Sequence, residues 1–194
     1  MDVSKCISAR ALEAPLEPFR LALALPKDVI RLSVGEPDFD TPDFVREAAE
    51  KAIEDGFTHY SPSSGFEELR KAVAEKLHRD NGISYDYESE IVITPGSSSG
   101  IFLAMLSLLD PGDEALVPDP AWFHYATLIR LCGAKPVGMP VKFKDNASSL
   151  DLEETERRLT DRTKVLIIIA TSMIMGFVSV SCTHSKTIGY QKPR

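Results

Sequence analysis

The stretch Ile91–Asp113, with the sequence IVITPGSSSGIFLAMLSLLDPGD, is the part of the chain that decides the predicted fold. Residues 91–93 are β-branched and apolar, a Pro-Gly pair follows, and three serines then lead into an apolar run. This order predicts a strand, a tight turn and a helix. The first N–H groups of a helix lack partners inside the helix, and the helix dipole adds positive potential there. The sequence therefore predicts a phosphate site at Gly96, Ser97 and Ser98.

A flexible linker is the alternative interpretation of the Gly-Ser-Ser-Ser-Gly segment, because linkers share this composition and serine commonly caps helices. The flanking segments 91–93 and 101–103 are apolar and core-forming, however, and a linker does not lie inside a core. No Gly-Lys-Ser/Thr follows the turn, so the segment is not a nucleotide-binding P-loop. Linker and phosphate site both stay open on these residues alone.

Composition narrows the classes of protein that this chain can represent. Its 194 residues are 43% hydrophobic, which is enough for one sizeable core. The 22 basic and 29 acidic residues give a net charge of −7 without a basic block, so nucleic acid is not an expected partner. The N-terminus has no apolar signal core, so we expect no secretion signal.

Cysteine and histidine give no sign of a metal site. Cys6, Cys132 and Cys182 have no metal-ligand spacing, and their odd number favours a reducing, cytoplasmic setting over a disulfide framework. His59 and His78 lie far from any second ligand, so we interpret both as solvated or structural.

One apolar segment, Val165–Val180, permits two interpretations. It is almost free of charge, yet it is slightly shorter than the roughly 20 residues that a membrane helix needs. Its first part, Val165–Ile169, is rich in β-branched residues and follows charged ones, which is typical of a buried parallel strand. We therefore expect a strand here and no membrane association.

Strand and helix signals alternate along the chain. The predicted strands are residues 29–32, 91–93, 114–117, 135–141 and 164–169, the last of the series. Five helices are predicted. The first runs from a Thr41 cap to Gly56, the second runs through 69–81 to a stop at Gly82, and the third begins at Gly96–Ser98, which we call the serine turn. The fourth runs through 128–131 to Gly133, and the fifth covers 152–159. This alternation predicts an α/β domain with a mostly parallel sheet, whose ligands collect at the carboxyl ends of its strands.

Trp122, the only tryptophan, follows the predicted strand 114–117 in the same way that the serine turn follows 91–93. An anion site and a flat aromatic side chain at one sheet edge suggest a phosphorylated ring lying under the indole. A plain packing role for Trp122 is the alternative. The turn-rich segment 35–42 is either a ligand loop or a connector.

Four segments resemble the N-terminal half of the class I and II pyridoxal-phosphate aminotransferases. They are SVGEPDFDTP at 33–42, HYSPSSGFEELRKAVAEKL at 59–77, VITPGSSSGIFLAMLSLLDPGDEALVPDPAWFHY at 92–125 and DRTKVLII at 161–168. The resemblance implies the type I aminotransferase fold, here a truncated α/β large domain with a mostly parallel sheet and helices on both faces. It also implies two regions, namely an N-terminal arm that contributes to the small domain at 1–40 and a partial cofactor-binding large domain at 41–169. The remaining residues, 170–194, are expected to be a tail outside the family that is disordered or irregular.

The same resemblance implies roles for individual residues, with pyridoxal 5'-phosphate as the cofactor. Gly96, Ser97 and Ser98 match the turn that holds its phosphate, and Trp122 matches the aromatic side chain that stacks on its pyridine ring. Tyr60 matches a tyrosine that reaches across a homodimer to the neighbouring subunit's cofactor phosphate. Gly35 matches a loop glycine whose backbone contacts the substrate carboxylate. The implied reaction moves an amino group between an amino acid and a 2-oxo acid.

The chain departs from the family pattern after residue 168. The family continues with Asn-Pro-x-Gly, whereas residues 169–176 read IATSMIMG. The family's lysine that holds the cofactor as a Schiff base, its aspartate beneath the ring and its carboxylate-binding arginine have no match. The segment Ser185-Lys186-Thr187 resembles the tripeptide around that lysine, but Lys186 lies too close to Trp122, so we expect no catalytic residue in this chain.

Two functions follow as expectations. The first is an aminotransferase by family, with this chain an incomplete form of it. The alternative is a catalytically inactive truncated product that binds phosphate weakly or pairs with a full-length aminotransferase. A sheet without its later strands would also leave Val165–Ile169 with an open edge, which invites aggregation.

Overall fold

Five strands form one sheet, namely β1 Glu114–Asp119, β2 Lys135–Lys144, β3 Ala147–Leu150, β4 Thr163–Ala170 and β5 Phe177–Cys182. The strand β1 lies at the centre of the order β3-β2-β1-β4-β5. It pairs in parallel with β2 and with β4, and the outer pairs β2·β3 and β4·β5 are antiparallel. The three central strands thus confirm the predicted mostly parallel α/β sheet.

This computed structural model describes residues 3–12, 39–144, 147–170 and 177–182, together with the single residues 24, 26, 29 and 37. The chain divides into two compact units, which we call the sheet unit, residues 1–35 with 101–194, and the helical unit, residues 36–100. The strand predicted at 29–32 lies outside the described residues, apart from Val29.

The helices that follow residue 41 lie close to their predicted positions. The helices are α1 Ala9–Leu12 after a short 3-10 turn Val3–Cys6, α2 Asp43–Glu54, α3 Glu67–Asn81, α4 Ser97–Leu108, α5 His124–Leu131 and α6 Leu152–Arg157. The prediction that Gly82 ends α3 is confirmed, since its φ of +67° is a left-handed cap that favours glycine. The predicted cap by Thr41 is wrong, because Pro42 occupies the cap position of α2 and no side chain caps that helix.

The core follows from the period-two pattern of the strands. Ala115 and Val117 of β1 face α4 and α5, whose Met105 and Ile129 are completely buried. Leu116 points to the opposite face. There it joins a second cluster with Met139 of β2 and Leu166 of β4, against which Leu159, just beyond α6, also packs. The sheet is therefore covered on both faces, as a parallel sheet requires.

The strand predicted at residues 91–93 is wrong. This segment is in neither a helix nor a strand, and the Ile93 N–H donates to the carbonyl of the loop residue Ser64 at 3.0 Å. Ile91 is buried, but Val92 remains 64% exposed. β-Branched composition indicates an extended backbone, whereas a strand also needs a ladder partner, and here a loop is the partner.

The prediction that residues 164–169 form the last strand is also wrong. β5 follows β4 and pairs with it from Val165↔Cys182 to Ala170↔Phe177, so the expected open edge at Val165–Ile169 is covered. The sequence of β5, FVSVSC, alternates valine with serine, a strand pattern that lies outside the family resemblance. Among the described residues, no helix has both the length and the apolar character needed to cross a membrane.

Candidate active site

The turn before α4 has a backbone that is suited to an anion. Gly96 has a φ of +82°, and open space surrounds the place where a Cβ would lie. The Thr94 hydroxyl donates to the Gly96 carbonyl and the Ser99 hydroxyl donates to the Pro95 carbonyl, both at 3.0 Å. These two side-chain bonds hold the turn while leaving its N–H groups available.

The N–H groups at the start of α4 are open to a ligand. Gly96, Ser97 and Ser98 are all exposed, and within the described part of the chain the amides of Ser97 and Ser98 have no hydrogen-bond acceptor. A twelve-residue helix adds the positive end of its dipole at this point. Donors of this kind, with two hydroxyl groups beside them, are what a phosphate group requires.

Tyr60 lies in the loop between α2 and α3 and its side chain is fully exposed. The far end of this loop is fixed to the segment that leads into the serine turn, because the Ile93 N–H binds the Ser64 carbonyl. Gly65 lies so close to Ile93 that an added Cβ would come within 2.5 Å of the isoleucine Cβ. We call this contact of Ser64 and Gly65 with Ile93 the loop clasp.

Arg70 of α3 reinforces the loop clasp. Its Nε donates to the Gly65 carbonyl at 3.3 Å, and its Nη1 donates to the carbonyls of Tyr87 at 2.6 Å and Glu88 at 3.3 Å. One guanidinium therefore joins the loop that carries Tyr60 to the turn before residue 91. An arginine on the polar face of a helix is ordinarily solvated, so no sequence pattern signals this role.

Trp122 lies beyond the carboxyl end of β1, where the topology places ligand groups. Its indole is 43% exposed and stacks on the His124 ring, with centroids 4.5 Å apart and planes 22° apart. Tyr125 meets the indole edge-on at 5.4 Å, and burial raises the pKa of the Tyr125 phenol. Trp122 thus packs on its aromatic neighbours and still has an exposed part.

The opposite end of β1 carries a buried carboxylate. Glu114 has a side chain only 3% exposed, accepts a hydrogen bond from the Thr160 hydroxyl at 2.6 Å and forms ion pairs with Lys135 and Arg162. The Thr160 hydrogen bond first, and the Lys135 contact after it, hold the pKa of Glu114 below its ordinary value of 4.5. This cluster joins the starts of three strands and lies away from Trp122, so its role is structural.

Two residues singled out from the sequence, Gly35 and Lys186, lie outside the described residues. Within the described part of the chain, no group of three His, Cys, Asp or Glu side chains is placed to hold a metal ion.

Fold and site together define an α/β protein with exposed helix-start amides and a supported aromatic ring past a strand end. The chain belongs to the aminotransferase class I and II family, whose model matches residues 27–172. Residues 173–194 lie outside this match. The serine turn, Tyr60 and Trp122 all lie inside it.

Several curated relatives are similar to this chain over about the same part of it. It is 46% identical over 141 residues to a probable aspartate/prephenate aminotransferase of Aquifex aeolicus, covering 73% of this chain and 35% of that protein. It is 42% identical over 142 residues to an aspartate aminotransferase of Pyrococcus abyssi, covering 73% and 36%. The chain therefore spans little more than a third of the length of these relatives.

Solved structures agree with the fold. An aromatic aminotransferase from Pyrococcus horikoshii is 42% identical with a TM-score of 0.68, over 76% of this chain and 39% of that one. An aspartate aminotransferase from Thermus thermophilus with maleate is 37% identical with a TM-score of 0.74, over 84% and 44%. The type I aminotransferase fold expected for the N-terminal half is thus confirmed.

Proposed function

We propose that this chain is the cofactor-binding part of a pyridoxal-phosphate-dependent aminotransferase, which transfers an amino group between an amino acid and a 2-oxo acid. The observation that carries the proposal is the serine turn, whose exposed amides have no acceptor within the described residues and which lies inside the family match. Its donors suit the phosphate of such a cofactor, and the supported indole of Trp122 suits its ring.

The chain's own residues would act by binding and orienting. The amides and hydroxyls of Ser97 and Ser98 donate to the phosphate, and the left-handed backbone of Gly96 lets the chain turn into the helix. Trp122 covers one face of the pyridine ring. Pyridoxal phosphate, when bound, supplies the electron-withdrawing ring that amino-group transfer requires.

We further propose a homodimer in which Tyr60 donates its hydroxyl to the partner's cofactor phosphate, while the Gly35 backbone binds the substrate carboxylate. The fully exposed Tyr60 side chain supports the first role. We also propose a reducing, cytoplasmic setting, which the free thiols of Cys6 and Cys132 support.

The test separates phosphate recognition from indiscriminate reaction of an aldehyde with surface lysines. Pyridoxine 5'-phosphate carries the ring and the phosphate but no aldehyde, so it cannot form an imine. We expect it to quench the fluorescence of the single tryptophan and to bind about tenfold or more tightly than pyridoxine, because only the former offers the phosphate charge.

A matched pair of variants sharpens this test. Ser98→Ala removes one donor at the start of α4 and should weaken pyridoxine 5'-phosphate binding about three- to tenfold. Ser107→Ala removes a hydroxyl of the same helix that bonds the Leu103 carbonyl, far from the turn, and should leave binding unchanged. Equal affinity of wild type for both pyridoxine compounds would refute the proposal.

A second candidate is a non-catalytic chain that pairs with a full-length aminotransferase. The sequence IATSMIMG at 169–176, in place of the family's Asn-Pro-x-Gly, favours it. The expected result is no turnover of amino and 2-oxo acids by the purified 194-residue chain, together with co-purification of an intact aminotransferase. Measurable turnover by the chain alone would exclude this candidate.

A further inference from the structure

Within the described residues, the His124 ring contributes stacking on Trp122 and no hydrogen bond. Its plane lies 22° from that of Trp122 with the centroids 4.5 Å apart, and Phe123 lies 4.6 Å away on a tilted plane. Within the described part of the chain the His124 side chain makes no hydrogen bond, and its Nδ1 is buried without a partner. A half-buried imidazole without a polar partner contributes through its ring face.

The backbone around this ring pair is fixed by the start of α5. The Trp122 carbonyl accepts from the Tyr125 N–H at 3.2 Å, and the Phe123 carbonyl accepts from the Thr127 N–H at 3.3 Å. His124 is the first residue of that helix, and Tyr125, the next one, is buried in the core. His124 therefore lies at a hydrogen-bonded helix start, while Trp122, on which its ring stacks, is 43% exposed.

We propose that His124 is a positioning residue, which holds the Trp122 indole in one orientation so that a planar heteroaromatic ring can stack on the opposite indole face. An exposed tryptophan is free to rotate about two side-chain bonds, and each orientation lost on binding weakens a ligand. When a ring such as that of His124 stacks on one indole face, the rotation of the indole is already restricted before the ligand binds. The proposal rests on the proposed cofactor-ring contact of Trp122 and adds the residue that orients it.

The experiment uses Trp122 as its own reporter, because the chain has no other tryptophan. His124→Ala removes the ring, whereas His124→Phe keeps a ring and removes both nitrogens. His78→Ala is the matched control, since that exposed histidine lies on α3 and bonds Ser84. Far-ultraviolet circular dichroism verifies that each 194-residue variant is folded.

Two fluorescence measurements are made on each variant. In the ligand-free protein, anisotropy and acrylamide quenching report how freely the indole moves and how accessible it is. We expect His124→Ala to lower the anisotropy and to increase acrylamide quenching about twofold, and His124→Phe and His78→Ala to match wild type. In a titration with pyridoxine 5'-phosphate, His124→Ala should weaken binding about three- to tenfold and His124→Phe less than about twofold.

Each outcome decides the question. An unchanged indole in ligand-free His124→Ala overturns the proposal, and so does unchanged affinity in a variant whose indole has loosened. A His124→Phe variant that behaves like His124→Ala also overturns it, because the effect would then belong to the nitrogens. If wild type does not bind pyridoxine 5'-phosphate, the proposed function fails, while a loosened indole in His124→Ala still supports His124 as the positioning residue.

Discussion

The sheet unit and the helical unit use similar apolar patterns with opposite results. In the sheet unit Leu116, Ile129 and Met139 are completely buried. In the helical unit neither α2 nor α3 has a buried residue, and Phe44 and Ile53 of α2 are 73% and 67% exposed. The spacing of apolar residues determines which side chains share a face, whereas the element that covers the face comes from elsewhere in the fold.

The two regions must therefore be stabilised differently. A twelve-residue helix such as α2 is marginal in water unless its apolar face is packed. The sheet unit has a core for this purpose, while the helical unit has the loop clasp of Ser64, Gly65 and Ile93 and the carbonyl contacts of Arg70. Substitutions of the same type in the two units should separate these two sources of stability.

The largest difference is expected between two isoleucines. Ile129→Ala should lower the free energy of unfolding by about 2–5 kcal/mol, because it leaves a cavity between α5 and the sheet. Ile53→Ala on α2 should change it by less than about 0.5 kcal/mol. Urea unfolding at several protein concentrations measures both. A large, concentration-dependent cost for Ile53→Ala would contradict the comparison and show that self-association covers α2.

Glu114 tests whether the sheet unit also depends on a buried charge. Glu114→Gln should lower the free energy of unfolding by about 1.5–3 kcal/mol at neutral pH. The reason is that Thr160, Lys135 and Arg162 then no longer donate to a charged carboxylate. The matched substitution Glu67→Gln in the helical unit removes only an exposed ion pair with Lys71 and should cost less. If both substitutions lowered the free energy of unfolding equally, the sheet unit would not depend on a buried charge more than the helical unit does.

The pH dependence of stability has a definite sign at Glu114. Its pKa is lower in the folded chain than the ordinary 4.5, so the unfolded chain binds the proton more tightly. The carboxylate therefore contributes its stability above pH 4.5, and that contribution is lost as the pH falls through the folded-state pKa. Glu114→Gln should flatten the acid limb of urea midpoints plotted against pH, and an unchanged limb would contradict the assignment.

Gly65 tests the loop clasp against a second glycine of similar backbone conformation. Gly65 and Gly56 have φ values of +91° and +86°, but only Gly65 lacks room for a Cβ. Both alanine substitutions place a Cβ on a left-handed backbone, which is strained. Gly65→Ala should lower the free energy of unfolding by about 1–3 kcal/mol more than Gly56→Ala, because its Cβ would also overlap with Ile93. Hydrogen exchange at the Ile93 amide measures whether the clasp opens, and equal protection in both variants would contradict this role.

The smallest effect on stability is expected at Tyr60. Tyr60→Phe removes one hydroxyl from a fully exposed side chain, so the free energy of unfolding should stay within about 0.5 kcal/mol of wild type. The same variant should weaken pyridoxine 5'-phosphate binding only at concentrations where the chain dimerises. Sedimentation alongside the titration measures both, and an equal loss in monomer would place Tyr60 in its own subunit's site.

Much of the fold was predictable because its signals are local. The start of α4 at the serine turn, the left-handed end of α3 at Gly82 and the strand before Trp122 depend on turn chemistry and periodicity within about ten residues. The strand predicted at 91–93 failed because pairing is not a local property, and β5 was missed because it lies beyond the family resemblance.

The candidate site divides in the same way. The serine turn and Trp122 could be named from the sequence, since glycine, serine and a lone tryptophan at strand ends carry their own chemical signal. His124 and Arg70 could not. A histidine among three other aromatic residues looks like packing, and an arginine on a polar helix face looks solvated, until the rings and carbonyls that they contact are known.

The sequence by itself determined the family, the residue types at the serine turn, and the order of helices and strands from α2 to β4, apart from the short β3 and the wrong strand at 91–93. Each of these follows from local pattern and turn chemistry. Only the tertiary structure decided that Ile93 pairs with a loop, that two cations and a hydroxyl surround Glu114, and that His124 stacks on the Trp122 indole. Most of these contacts join residues far apart along the chain, and all depend on how side chains pack in space, which residue spacing does not encode.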